Sequence, residues 1–180
     1  MAKRHSNQRN RQHKRHIKKT TLIIVGEGEH DKAFLTHMKN LYDHRQSGQK
    51  VKIDFSSGGS PYDIIKDTVK KTSHADYDRR YILMDDDIDI RQQDRQLAKE
   101  QKRTILLSQP LCLEGMLLDI LKQNIPDSAQ RCKKVLHPQL DGKPTEPSSY
   151  ASLFDQPILD SSDKATIVTL RTVLQNSPQL

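Results

Sequence analysis

The sequence predicts an α/β fold, a four-stranded parallel sheet in the order 2-1-3-4 with helices on both faces. Two observations lead there. Four short apolar runs, "TLIIVG" (21–26), "VKIDF" (51–55), "YILM" (81–84) and "TILL" (104–107), have the length and bounding residues of strands. Segments of helical period separate them, and regular alternation of the two types argues for a parallel sheet built from crossover units. Right-handed crossovers leave few topologies, of which the doubly wound order 2-1-3-4 is a common one.

Each element has its own justification. The first run ends at Gly26, and after "EGEHD" the residues Phe34, Met38, Leu41 and Tyr42 fall on one helical face. His30, His37 and His44 recur every seven residues on another face of that helix and are expected to form a solvated row. "VKIDF" alternates apolar and polar residues, which suits an edge strand. Ser60, Pro61 and Asp63 supply an N-cap, a first-turn proline and a capping-box partner, opening a second helix that runs to about Lys71. The preceding "SSGGS" (56–60) has no Gly-Lys-Ser/Thr and reads as a rim loop rather than a phosphate-binding P-loop. Residues 91–102 form a weakly amphipathic helix on Leu97 and Ala98. Leu113, Met116, Leu117, Ile120 and Leu121 give a clean helical stripe, and residues 165–174 a last helix. The stretch 125–163, rich in Pro, Ser, Asp and Gln, is expected to be an irregular excursion.

Composition narrows the function. The 180 residues suggest one domain with appendages: a basic tail (1–20), a core (21–124) and a C-terminal extension (125–180). Aromatic residues are 4 % and Trp is absent, which weighs against base-stacking platforms. No apolar run approaches a membrane span. Cys112 and Cys132 are too few and too distant for a zinc motif or a disulfide framework. No apolar segment follows the basic N-terminus as in a secretory signal, so the expected compartment is the cytoplasm. The chain has 30 Lys or Arg and 23 Asp or Glu, but eight of the basic residues lie in the first 20 positions with no acid among them. Removing those eight leaves 22 basic against 23 acidic, so the basicity belongs to the tail. Lys3, Arg4, Arg9, Arg11, Lys14, Arg15, Lys18 and Lys19 are the candidates for salt-dependent contact with nucleic-acid phosphates, against the plainer reading of a solvated leader.

The acids are placed differently. In the order 2-1-3-4, strands one and three are neighbours, and ligands bind at the carboxyl ends of the strands where the order reverses. Glu27, Glu29 and Asp31 follow the first strand; Asp85, Asp86, Asp87 and Asp89 follow the third. Carboxylates brought that close repel one another, and a hard dication, Mg²⁺ or Mn²⁺, resolves the conflict. Asp85 and Asp87 point the same way if the strand continues past Met84, while Asp87 and Asp89 form a second possible D-x-D pair.

These residues carry a resemblance. "IIVGEGEHDKAFL" followed by "YILMDDDID" resembles the Rossmann-like TOPRIM domain, which has a Glu after its first strand and a D-x-D after its third. "LLSQPLCLEGMLLDIL" (106–121) is similar to the S-x-P-x-x-x-E segment of the RloB-like family, and "ATIVTLRTVL" (165–174) to that family's terminal helix. The chain departs from the pattern at His30-Asp31, where relatives often have Thr-Glu, and at Gly115-Met116, where they often carry a Trp. The resemblance implies a divalent-metal-dependent nuclease related to OLD-type enzymes, working in bacterial phage defence, in many relatives beside a partner ATPase. It assigns Glu27 to metal binding or base catalysis, Asp85, Asp87 and Asp89 to the cation and Asp31 to its support. Glu114 becomes a second-metal ligand and Ser108 an orienting group for ligand or phosphate. Lys164 is the candidate for the lysine that often completes such sites. Two other classes stay open: a non-catalytic TOPRIM module that only mediates contacts, and a receiver-like phosphoacceptor. A receiver, however, wants its acidic pair after the first strand and a Lys after a fifth.

Overall fold

Residues 19–44 and 46–176 are described by a computed structural model. Strands β1 (Thr20–Gly26), β2 (Gln49–Phe55), β3 (Arg79–Asp85) and β4 (Thr104–Ser108) form one parallel sheet in the order β2-β1-β3-β4. This is the order the sequence predicts, with β2 at an edge. Helices α1 (Glu29–Tyr42), α2 (Pro61–Thr72) and α3 (Gln92–Glu100) connect the strands, and α4 (Leu113–Ile120), α5 (Ala129–Leu136), α6 (Gln156–Asp160) and α7 (Ala165–Leu174) follow the last one.

The period-two alternation of the strands divides the interior. Along β3, Tyr81 and Leu83 face a large apolar cluster with Phe34 and Met38 of α1 and Leu117 of α4. Ile82 and Met84 face a smaller cluster with Ile64 and Ile65 of α2 and Ala98 of α3. Residues of one strand that share parity share a face, so Asp85 belongs with Tyr81 and Leu83 on the side of α1 and α4. β3 ends at Asp85 and does not carry its alternation on to Asp87.

Local chemistry accounts for the helix starts. At α2, Asp63 N–H donates to Ser60 Oγ at 3.3 Å and Ser60 N–H donates to Asp63 Oδ2 at 3.2 Å, the reciprocal capping that the sequence predicts. At α4 the N-cap is Cys112, whose Sγ accepts from Gly115 N–H at 3.4 Å.

The segment 125–163 is not the irregular excursion its composition suggests. It holds α5, α6 and two 3₁₀ turns (His137–Gln139 and Pro147–Tyr150). Cys132, Leu136, Tyr150, Phe154 and Leu159 are buried in the same cluster as the α1 face of the sheet. The row of histidines is likewise not solvated. His37 is buried, with Nε2 2.7 Å from the Phe154 carbonyl oxygen and its ring stacked on Tyr150, because the extension covers that side of α1. His30 is half-buried and only His44 is exposed. The C-terminal helix is tied to the sheet by Thr166 Oγ1, which donates to Leu107 O at 2.6 Å, and by Gln49 Nε2, which donates to Val173 O at 3.1 Å. No helix among the described residues is long and apolar enough to cross a membrane.

Gly115 fixes how α4 meets the sheet. A Cβ at this position would stand 2.3 Å from the Pro110 carbonyl oxygen, so the helix lies against the β4–α4 turn only with glycine there. Gly115→Ala is therefore expected to lose about 1–3 kcal/mol of stability by forced displacement of the helix. Urea denaturation measures this, and wild-type stability in the variant would contradict the contact.

Candidate functional site: an acidic cleft at the carboxyl end of the sheet

A cleft of about 420 Å³ opens at the carboxyl ends of β1 and β3, with Glu27, Asp31, Asp85, Glu114 and Lys133 in its lining. Its geometry begins with strand register. Gly26 pairs with Leu83, so the next residue, Glu27, emerges beside the last residues of β3. Glu27 Oε2 accepts a hydrogen bond from Asp85 N–H at 3.1 Å. Asp85 Oδ1 in turn accepts from Leu113 N–H, the first residue of α4, at 3.0 Å. A strand end, a second strand end and a helix N-terminus are thus joined through two carboxylates.

Asp31 reaches the cleft because Gly26 lets it. A Cβ on Gly26 would lie 2.4 Å from the Asp31 Cβ, so the first turn of α1 can descend onto the strand end only over a glycine. Asp31 is 6 % exposed. Its Oδ2 accepts from Gly28 N–H at 2.9 Å and so caps α1, while its buried Oδ1 has no hydrogen-bond partner. An orphaned carboxyl oxygen in an interior position is costly, and in a cleft lined by other acids a cation can satisfy it. The residues present therefore fit a hard dication.

Glu114, in the first turn of α4, is 2 % exposed. Its Oε1 lies 3.1 Å from His30 Nδ1 and 2.9 Å from His137 Nε2. Across the cleft, the loop after β2 contributes Ser56, Ser57 and Gly58. Ser56 Oγ donates to the Glu27 carbonyl oxygen at 3.0 Å, which ties this wall to the strand end.

Electrostatics separates the acids. Burial, with the nearby Glu27 charge, pushes Asp85 up to about 7. Burial and the Asp85 charge push Asp31 well above the usual carboxyl range. Burial raises Glu27 too, the Asp85 N–H opposing it and the Asp87 charge adding to it. Burial also acts upward on Glu114, but the hydrogen bonds from His30 and His137 and the charge of Lys133 outweigh it and hold the group at about 2. Burial acts downward on Lys133, but Glu114 and Asp85 outweigh it and keep its ammonium protonated.

The other residues singled out from the sequence fall elsewhere. Asp87 is exposed just beyond β3 and touches the site through its charge on Glu27, whereas Asp89 is exposed and does not line the cleft. Ser108 pairs with Asp85 across β3 and β4, but its Oγ is buried, without a partner and outside the cleft lining. Lys164 does not complete the site. Its Nζ pairs with Asp119 on α4, where the two residues line a separate small cavity. The lysine of the cleft is Lys133 on α5. Lys3, Arg4, Arg9, Arg11, Lys14, Arg15 and Lys18 lie outside the described residues. Lys19 is exposed ahead of β1, which puts it at the opposite end of the sheet, about 20 Å from the cleft by the strand rise.

Three cleft-side residues were missed by sequence reasoning: His30, His137 and Lys133. A faint signal existed for the last two. Lys133 and His137 are four residues apart beside the buried Cys132 and Leu136, which is the spacing of one helical face.

Comparison with protein-family models, curated proteins and solved structures finds no match to the chain.

The raised Asp85 value gives a pH effect of definite sign. Between about 4, the ordinary Asp value, and about 7, the folded protein holds this proton more tightly than the unfolded chain. Stability from Asp85 is therefore present at the acid end and lost as pH rises through 7. Glu114 works oppositely, but its contribution is complete above the ordinary Glu value of 4.5 and is flat beyond it. In metal-free buffer, Asp85→Asn is expected to gain in Tm relative to wild type between about pH 5 and about pH 8. Thermal denaturation of the pair reads this directly, and a pH-independent gap would contradict it.

Proposed function

We propose that the chain is a divalent-metal-dependent phosphodiesterase that cuts or nicks nucleic acid in the cleft between Glu27, Asp31 and Asp85. The observation that carries this reading is the convergence of those three carboxylates, one with an orphaned buried oxygen, at the rim where strand order reverses. An open cleft beside acids suits a polyanionic substrate only if a cation lies between them, and that is the arrangement used for phosphoryl chemistry. The TOPRIM-like order of motifs supports the same reading and supplies the further proposals of a cytoplasmic phage-defence role and a partner ATPase.

Glu27, Asp31 and Asp85 would hold Mg²⁺ or Mn²⁺, with Asp87 adding negative charge from the exposed side. The bound ion would lower the pKa of a coordinated water and neutralise charge on a phosphoryl oxygen. Glu27 uses Oε2 to accept from Asp85 N–H, so Oε1 is the atom that can take a proton from the attacking water. Lys133 sits on the α5 wall with its ammonium kept charged by Glu114 and Asp85, so it can stabilise a non-bridging oxygen or the departing oxyanion. Lys32 Nζ lies 5.0 Å from the centroid of the Phe55 ring, which lines the cleft, a place from which it can meet the next phosphate. The basic tail adds affinity without sequence preference.

With Mg²⁺ or Mn²⁺, Glu27→Gln and Asp85→Asn are expected to lower cleavage of plasmid DNA or structured RNA by at least about 100-fold while leaving most substrate binding, since metal-site changes act chiefly on the chemical step. Gel assays beside filter binding, with and without a candidate partner ATPase, check this. Full activity in excess chelator, or in both variants, would reject it.

A further inference from the structure

His30 and Glu114 line the same cleft as the three carboxylates of the proposed hydrolytic centre, and with His137 they form a separate set of ligand atoms. Its members come from three separate elements: the first turn of α1, the first turn of α4 and the residue that caps α5. Both histidines turn a ring nitrogen to the same atom, Glu114 Oε1, at 3.1 and 2.9 Å. The three atoms lie within 4.8 Å of one another. The two rings meet edge to face with centroids 4.7 Å apart. Ligand atoms at about 2.0–2.2 Å from a shared dication stand about 2.8–3.6 Å apart at octahedral or tetrahedral angles. Both nitrogen–oxygen separations fall in that range.

Asp31, whose unpartnered Oδ1 belongs to the first site, lies in the same wall as His30 and Glu114. His30 and His137 are half-buried, so the seat keeps an open side for water or substrate.

We propose that His30, Glu114 and His137 form a second cation seat, specific for a first-row transition dication of the Zn²⁺ type and not for Mg²⁺. Two imidazoles with one carboxylate favour ions that accept nitrogen ligands, while Mg²⁺ prefers oxygen and gives up its water reluctantly. The seat goes beyond the hydrolase reading, since it binds its ion whether or not the cleft cuts phosphodiesters.

The experiment is Zn²⁺ titration of the full chain by calorimetry in excess Mg²⁺, which saturates the all-oxygen site, followed by Co²⁺ substitution and visible spectroscopy. The expected result is tight Zn²⁺ binding that survives Mg²⁺, with Co²⁺ bands of a low-coordinate site. His30→Gln and His137→Ala, on separate elements, are each expected to weaken it at least about tenfold, and Glu27→Gln to leave it unchanged. The tail also carries His5, His13 and His16. The response to the two variants is therefore what assigns the ion to this seat, and circular dichroism confirms that at least one of them is folded. Zn²⁺ binding that Mg²⁺ abolishes, or that ignores both substitutions, would overturn the proposal and leave the group as a hydrogen-bonded clamp. Cleavage with Mg²⁺ alone in a chain that fails this test would leave the hydrolase reading standing. Zn²⁺ binding in a chain that never cleaves would do the reverse.

Discussion

Parallel pairing of β1 with β3, in register at Gly26 and Leu83, forces the carboxylates of Glu27 and Asp85 to one rim of the sheet. The rest of the site is arranged around that enforced meeting of like charges. Asp85 is steadied by the first N–H of α4, Glu27 by the Asp85 N–H, and Asp31 by the N–H at the head of α1. Backbone dipoles at helix starts suit anions, which gives Asp31 and Asp85 a local reason to be where they are. Together they still leave more negative charge than the donors offset. Burial first, and the neighbouring acids after it, raise the proton affinities of Asp31, Glu27 and Asp85.

Two glycines make the arrangement sterically possible. Gly26 admits Asp31, and Gly115 seats α4 so that Leu113 N–H meets Asp85. The C-terminal extension then closes the remaining side. It buries Cys132 and Leu136 in the main core, and from the same helix it presents Lys133 and His137 to the acids. The extension is therefore structurally continuous with the sheet's α1 face, and one wall of the site depends on how it packs.

Much of this was legible in the sequence because it is written in strong local signals. Four apolar runs gave the strands, the Ser60-Pro61-Asp63 triplet gave the start of α2, and the alternation of elements gave the sheet order that aligned Glu27 with Asp85. The extension was illegible because its helices are short, prolines punctuate it at 126, 138, 144, 147 and 157, and its apolar residues are spaced too sparsely to show a period. Its burial is a tertiary effect. The same gap led to Lys164 in place of Lys133, since nothing local distinguishes a lysine that pairs with Asp119 from one that faces the cleft. It also led to a solvated row of histidines where the extension covers His37 and Glu114 meets His30.

The central claim is that the acids of β1 and β3 share a cation. Anomalous diffraction from crystals grown in Mn²⁺ and Mg²⁺-free buffer tests it most directly. The expected result is a peak within coordination distance of Glu27 and Asp85 and of the orphaned Asp31 oxygen, about 2.1–2.3 Å from each ligand atom. A fully ordered cleft with water in that position and no anomalous signal near residues 27, 31 and 85 would contradict the account.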